Sequence, residues 1–182
     1  MENITSLHIF DFDETLVRAP SYTAKKTSET EDLQFTDPYH FYDHPNSICE
    51  DIHHIQIISP VRDGLDRAKA KEGSYSILVT HRVKELENEV KMILHRRGID
   101  FDAYFFLGRA SEKIEIAHRY IQEFPNLTHV EIYEDSVQQI DKYQKYFRLH
   151  ERIKLDTYIV DKSRMYQIGD IHLTNEQQIH LL

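Results

Sequence analysis

Leu7, Ile9 and Phe10 belong to an apolar run that ends abruptly in acid, at Asp11-Phe12-Asp13-Glu14. The run reads as a buried strand. Four further short apolar runs follow: Ser76 to Thr80, Ala103 to Leu107, His129 to Tyr133 and Thr157 to Val160. The stretches between them carry helical spacing. Pro60 begins a helix through Lys71 that Gly73 closes. Val83 to Arg97 is apolar at Val83, Leu86, Val90, Ile93 and Leu94, and Gly98 stops it. Ser111 is positioned to cap a helix with Ile114, Ala117, His118 and Ile121 on its inward side, ending near Pro125. Ser136 to Leu149 places Val137, Ile140, Tyr143 and Phe147 on one side, and Thr174 caps a short last helix through Ile179. This alternation predicts an α/β domain, with a mainly parallel sheet covered by helices on both faces. Residues 18–59 are too many for an ordinary connection. Their aromatic residues Phe35, Tyr39, Phe41 and Tyr42 predict an insertion standing over the sheet's edge.

The polar groups that end the strands change this picture from architecture to chemistry. Asp11 and Asp13 are two residues apart, so in an extended segment both point the same way, toward the crevice where open α/β sheets bind ligands. Two carboxylates held that close repel unless a cation or proton sits between them. Alone, the pair serves equally as a turn or as a nucleophile, acid/base and metal site. Thr80 ends the second strand and either donates to an anionic oxygen or caps the helix beginning near Val83. Arg82, just beyond, is either solvated or able to grip an anionic group. Lys113 falls in a helix's first turn, where the dipole disfavours a cation unless an anion is near. Glu134 and Asp135 close the fourth strand and suit a hard cation such as Mg²⁺.

Composition narrows the class. At 182 residues, with 40% hydrophobic and 29% charged, the chain supports one domain. No stretch approaches the roughly 20 apolar residues of a membrane helix, and the N-terminus lacks a secretory pattern. Cys49 is the single cysteine, so no intrachain disulfide forms, which fits a reducing, cytoplasmic setting. A net charge of −9 argues against a broad nucleic-acid-binding face but leaves room for a local basic pocket. His40, His44, Cys49, His53 and His54 match no familiar zinc-finger spacing.

With all four strand ends in place, the chain resembles the haloacid dehalogenase-like (HAD) superfamily of phosphotransferases. The resemblance rests on Asp11-Phe12-Asp13-Glu14-Thr15, Thr80, Lys113 and Glu134-Asp135, in that order, and covers Leu7 to about Phe147. It implies a Rossmann-like fold and a Mg²⁺-dependent phosphatase working on a phosphomonoester. Asp11 would carry an aspartyl-phosphate, with Asp13 as general acid and then base. Thr80, Lys113 and Arg82 would hold phosphate oxygens. Mg²⁺ would lie between Asp11, the Asp13 carbonyl and Asp135, with Glu134 in support. Ile77-Leu78-Val79-Thr80-His81-Arg82 and Ile132-Tyr133-Glu134-Asp135-Ser136 are similar to motifs of the Swiss army knife RNA-repair-like group. His81 and Ser136 depart from that group's usual glycine and arginine. The substrate expected is a small phosphorylated molecule, a nucleotide or a nucleic-acid end. Phosphatases of the polymerase C-terminal tail share the first motif and stand as an alternative, as does a non-catalytic phosphate-binding module. A module without turnover would be expected to have lost Asp11, Asp13, Lys113 or Asp135, and all are present.

Overall fold

The computed structural model describes residues 3–19, 41–109 and 111–169. Strand β1 (Ser6–Phe10) is buried at every position and pairs in parallel on both sides. Its partners are β4 (Ser74–Thr80) and β6 (His129–Glu134). A parallel strand covered on both faces needs an almost unbroken apolar run, which is the pattern here. Beyond β4 lies β5 (Ala103–Phe106), and beyond β6 lies β7 (Lys154–Asp161), both parallel to their neighbours. The edge strand β8 (Arg164–Ile168) runs antiparallel to β7 and completes a six-stranded sheet in the order β5-β4-β1-β6-β7-β8. Two short strands, β2 (Val17–Arg18) and β3 (Gln56–Ile57), form a separate antiparallel ribbon.

Helices cover both faces. On one face, α1 (Ser59–Ala70) and α2 (Glu87–His95) bury Val61, Leu65, Val90, Ile93 and Leu94 with Phe10, Leu78 and Tyr133. On the other, α3 (Lys113–Glu123) and α4 (Val137–Phe147) bury Ala117, Tyr120, Ile121, Tyr143 and Phe147 with Leu7, Ile9, Ile77 and Ile132. The alternation of strand side chains divides the sheet's residues between these two cores. Phe10, Tyr133 and Tyr158 stack across adjacent strands, with ring centroids 4.3 and 4.8 Å apart. Gly64 lets α1 sit directly on this stack. A Cβ there would lie 2.9 Å from the Tyr133 ring.

The mainly parallel sheet with helices is the α/β class that the pattern predicts, but several details differ. The helix expected from Val83 starts later, because a 3₁₀ turn at Lys84–Leu86 precedes α2. Ser111 does not cap α3. The N-cap is Glu112, and its side chain makes no capping bond. Ser136 does cap α4, accepting a hydrogen bond from the Gln139 amide at 3.3 Å. Strand β8 has no counterpart in the predicted elements. Phe35, Tyr39, His40 and the last helix expected over Thr174 to Ile179 lie outside the described residues. Among the described residues, no helix is long and apolar enough to cross a membrane.

Candidate functional site

The C-terminal ends of β1, β4 and β6 open onto one cleft of about 570 Å³. Asp11 follows β1, Thr80 ends β4, Glu134 ends β6 and Lys113 is the first residue of α3. All four line the cleft, together with Asp13, Arg82 and Asp135. The sheet therefore brings together every residue that the sequence marks as chemically competent.

Two clusters organise them. In the first, the Lys113 ammonium donates to Asp11 Oδ1 and to Glu134 Oε2, each at 2.7 Å. These two carboxylates offset the dipole at the start of α3, where an ammonium would otherwise be disfavoured. Burial alone would push the Lys113 pKa down, but the charges of Asp11 and Glu134 overcome it and hold the lysine raised. Burial raises the Asp11 pKa well above the carboxylate range, and Glu134 adds to the effect. Asp135 stands at the rim with part of its surface open. Its pKa is raised by enclosure and by the charges of Asp11 and Glu134. The carboxylate oxygens of Asp11, Glu134 and Asp135 all lie within 4.8 Å of one another. Three carboxylates held this close retain protons unless a cation beyond the single ammonium sits among them. Oxygen-only donors in that arrangement fit Mg²⁺. The buried Tyr143 hydroxyl interacts electrostatically with the same group and has no hydrogen-bond partner among the described residues.

The second cluster forms around Asp13. Glu14 takes a left-handed backbone conformation, φ 55°, and the Leu16 and Val17 amides both bond the Phe12 carbonyl. This tight turn sets the Asp13 carboxylate against Arg82. Arg82 Nε donates to Asp13 Oδ2 at 2.9 Å, and Nη2 donates to Oδ1 at 2.7 Å. Arg82 Nη1 reaches the insertion, donating to Ser47 Oγ at 2.7 Å and to the Tyr42 carbonyl at 2.9 Å. The Phe12 and Tyr42 rings flank the guanidinium at 5.5 and 5.7 Å. Arg82 is only 2% exposed, so it is a buried fork rather than a solvated side chain. Paired, charge-assisted contacts of this kind fix the orientation of the carboxylate they hold.

Thr80 Oγ accepts from the Arg82 amide at 3.2 Å, and its own proton is left to donate. Thr80 does not cap the helix beyond it: the 3₁₀ turn at Lys84–Leu86 has Val83 as its N-cap, with no side-chain capping bond. His81 lines the cleft, its pKa lowered by burial and then by Lys113. Tyr42 lines the cleft as the insertion's aromatic content suggests, whereas Phe41 is fully buried and His44 accepts from the Asn46 amide at 3.1 Å. At the mouth, Arg109 Nη2 donates to Asp43 Oδ2 at 2.6 Å. That pair and the Ser47 contact join residues from distant parts of the chain, and no spacing signal could have linked them.

No family model matches the sequence, and no curated protein matches it. Solved structures do match in shape. A chain of the Pnkp1/Rnl/Hen1 complex superposes with a TM-score of 0.51 at 18% identity, over 86% of this chain and 45% of that one. A chain of the Pnkp1/Rnl/Hen1 RNA repair complex gives 0.52 at 17% identity, over 87% of this chain and 44% of that one. This chain thus spans less than half the length of the chains it matches. At such identities the likeness is one of fold: the α/β fold described here is also present within those RNA repair complex chains.

Proposed function

We propose that this chain is a Mg²⁺-dependent phosphatase of the HAD-like type, acting on a phosphomonoester at an RNA end or on a nucleotide. The observation that carries the reading is the Asp11–Lys113–Glu134 cluster, with Asp13 fixed two residues from Asp11 at the same cleft. The shared fold with RNA repair complex chains supports a nucleic-acid end over an unrelated metabolite.

An ionised Asp11 oxygen attacks phosphorus, and the bond from phosphorus to the substrate oxygen breaks. Asp13 gives its proton to that departing oxygen, so the alcohol leaves neutral. In the second step Asp13 takes a proton from water, the water oxygen attacks the aspartyl-phosphate, and Asp11 and inorganic phosphate are released. Lys113 and the Thr80 hydroxyl hold the equatorial phosphate oxygens, where negative charge must be tolerated. Asp11, Glu134 and Asp135 would hold Mg²⁺, which supplies the positive charge that lets an anionic phosphate approach a carboxylate. Purified protein is expected to release phosphate from an aryl phosphate and from phosphorylated oligonucleotides with Mg²⁺ present, and to stop in EDTA. Turnover that survives exhaustive chelation would remove the metal from the reading. Failure on every phosphomonoester tested would remove the phosphatase.

Arg82 is a positioning residue in this scheme. From sequence alone its guanidinium is expected to grip a second anionic group on the substrate, so that Arg82→Ala would raise KM for a large substrate only. The Asp13 and Ser47 contacts lead to a different expectation: kcat falls on the order of 10²-fold for large and small substrates alike, with KM little changed. Arg82→Lys should not rescue it, because an ammonium cannot reproduce the paired contact. A KM effect confined to the large substrate would restore the substrate-gripping role.

A further inference from the structure

A second set of metal-type ligands lies on the face of the sheet that α1 and α2 cover. His8, Glu131 and Asp156 are register neighbours on β1, β6 and β7. His129 precedes Glu131 by two residues on β6 and so projects from the same face. His129 Nε2 lies 2.8 Å from Asp156 Oδ2 and 3.8 Å from Glu131 Oε1. The three ligand atoms all fall within 4.8 Å of one another. Ligands bound at 2.0–2.2 Å to a tetrahedral zinc stand about 3.4 Å apart, so the observed separations bracket what a zinc ion requires.

We propose that His129, Glu131 and Asp156 bind a zinc-class divalent ion at a site separate from the Asp11 cluster. The two carboxylates are already divided between outer partners and a shared inner point. Glu131 Oε2 accepts from the Tyr133 hydroxyl at 2.7 Å and contacts His8 Nδ1 at 3.0 Å. Asp156 Oδ1 accepts from Gln167 Nε2 at 3.0 Å. Those contacts turn Glu131 Oε1 and Asp156 Oδ2 toward His129. His8 is itself anchored through its other ring nitrogen to Ser74 Oγ at 3.2 Å. Outer partners of this sort are what hold metal ligands in place. A cation already occupies part of the site: the Lys154 ammonium lies 2.7 Å from Asp156 Oδ2, on a side chain that is 70% exposed and free to swing away. The imidazole nitrogen favours zinc or a similar ion over Mg²⁺, whereas the Asp11 cluster offers oxygen alone. Asp11 and Glu134 are each three residues further along β1 and β6, roughly 10 Å, so the two sites are distinct. An ion here ties the adjacent strands β6 and β7 together and leaves the cleft untouched.

The test is titration of the intact protein with Zn²⁺ and Co²⁺ in excess Mg²⁺, which keeps the Asp11 cluster filled. One equivalent should bind in the micromolar range, and X-ray absorption of the bound Co²⁺ should show imidazole nitrogen. His129→Ala and Asp156→Asn should each weaken binding by about tenfold or more. Asp11→Asn should leave it unchanged. Lys154→Ala, at an exposed position, should tighten it several-fold by removing the competing ammonium. Absence of binding at micromolar Zn²⁺, parental affinity in folded His129→Ala, or no gain in Lys154→Ala overturns the site. The readout does not depend on turnover, so it fails independently of the proposed phosphatase.

Discussion

Asp11→Asn is expected to abolish phosphate release, by at least about 10³-fold, while leaving the metal-free protein as stable as the parent or more so. An amide oxygen cannot act as the nucleophile, so the first bond never forms. The stability half of the expectation comes from burial. Asp11 is enclosed beside Glu134, and its pKa is raised from 3.8. A carboxyl whose pKa is raised on folding opposes folding increasingly as pH climbs above its ordinary value. At neutral pH the neutral amide removes that penalty, and its oxygen still accepts from Lys113. Melting in EDTA should therefore be unchanged or higher for the variant, while the gain in melting temperature on adding Mg²⁺ should shrink. Parental turnover would end the nucleophile assignment. A collapse in stability would show that the Asp11 charge, not its burial, governs this part of the core.

Lys113→Ala should act in the opposite direction on stability. It leaves Asp11 and Glu134 buried without the ammonium that both contact at 2.7 Å. Removing one member of a buried ion pair costs about 3–5 kcal/mol, because the remaining charge is uncompensated. For a chain of this size the melting temperature should fall by roughly 10 °C. Mg²⁺ should restore part of the loss, since it returns positive charge to the same carboxylates. Thermal melts of the variant with and without Mg²⁺ check both statements. A loss that Mg²⁺ leaves untouched would mean that the two carboxylates do not share a cation site.

The strands and their polar ends were legible because burial on both faces demands apolar runs, and because those runs stop at Asp11, Thr80 and Glu134. Strand β8 was not legible. Its sequence, Arg-Met-Tyr-Gln-Ile, is that of a half-exposed edge. The hairpin leading into it turns on Lys162 and Ser163 at φ 46° and 71°, without the glycine or asparagine that marks such turns. Arg82 was visible as a residue near the cleft, but its partner was not. Its bond to Asp13 spans 69 positions and depends on the backbone reversal at Glu14. The His129, Glu131 and Asp156 group was hidden for a related reason: only strand register brings β6 and β7 residues side by side.

The small ribbon formed by β2 and β3 has a consequence for how such a chain can diversify. Val17 pairs with Ile57 and Arg18 with Gln56, so the chain leaves the sheet and returns to it through one clasp. The Ile58 amide then bonds back to the Leu16 carbonyl at 2.9 Å, which fixes the return point against the turn after Asp13. Whatever is threaded through the clasp can be lengthened, shortened or exchanged without shifting the register of any sheet strand, because loop closure depends only weakly on loop length. The clasp works as a socket: it sets the sheet apart from the length of the segment it holds, while Tyr42 and Ser47 within that segment still reach back to hold Arg82.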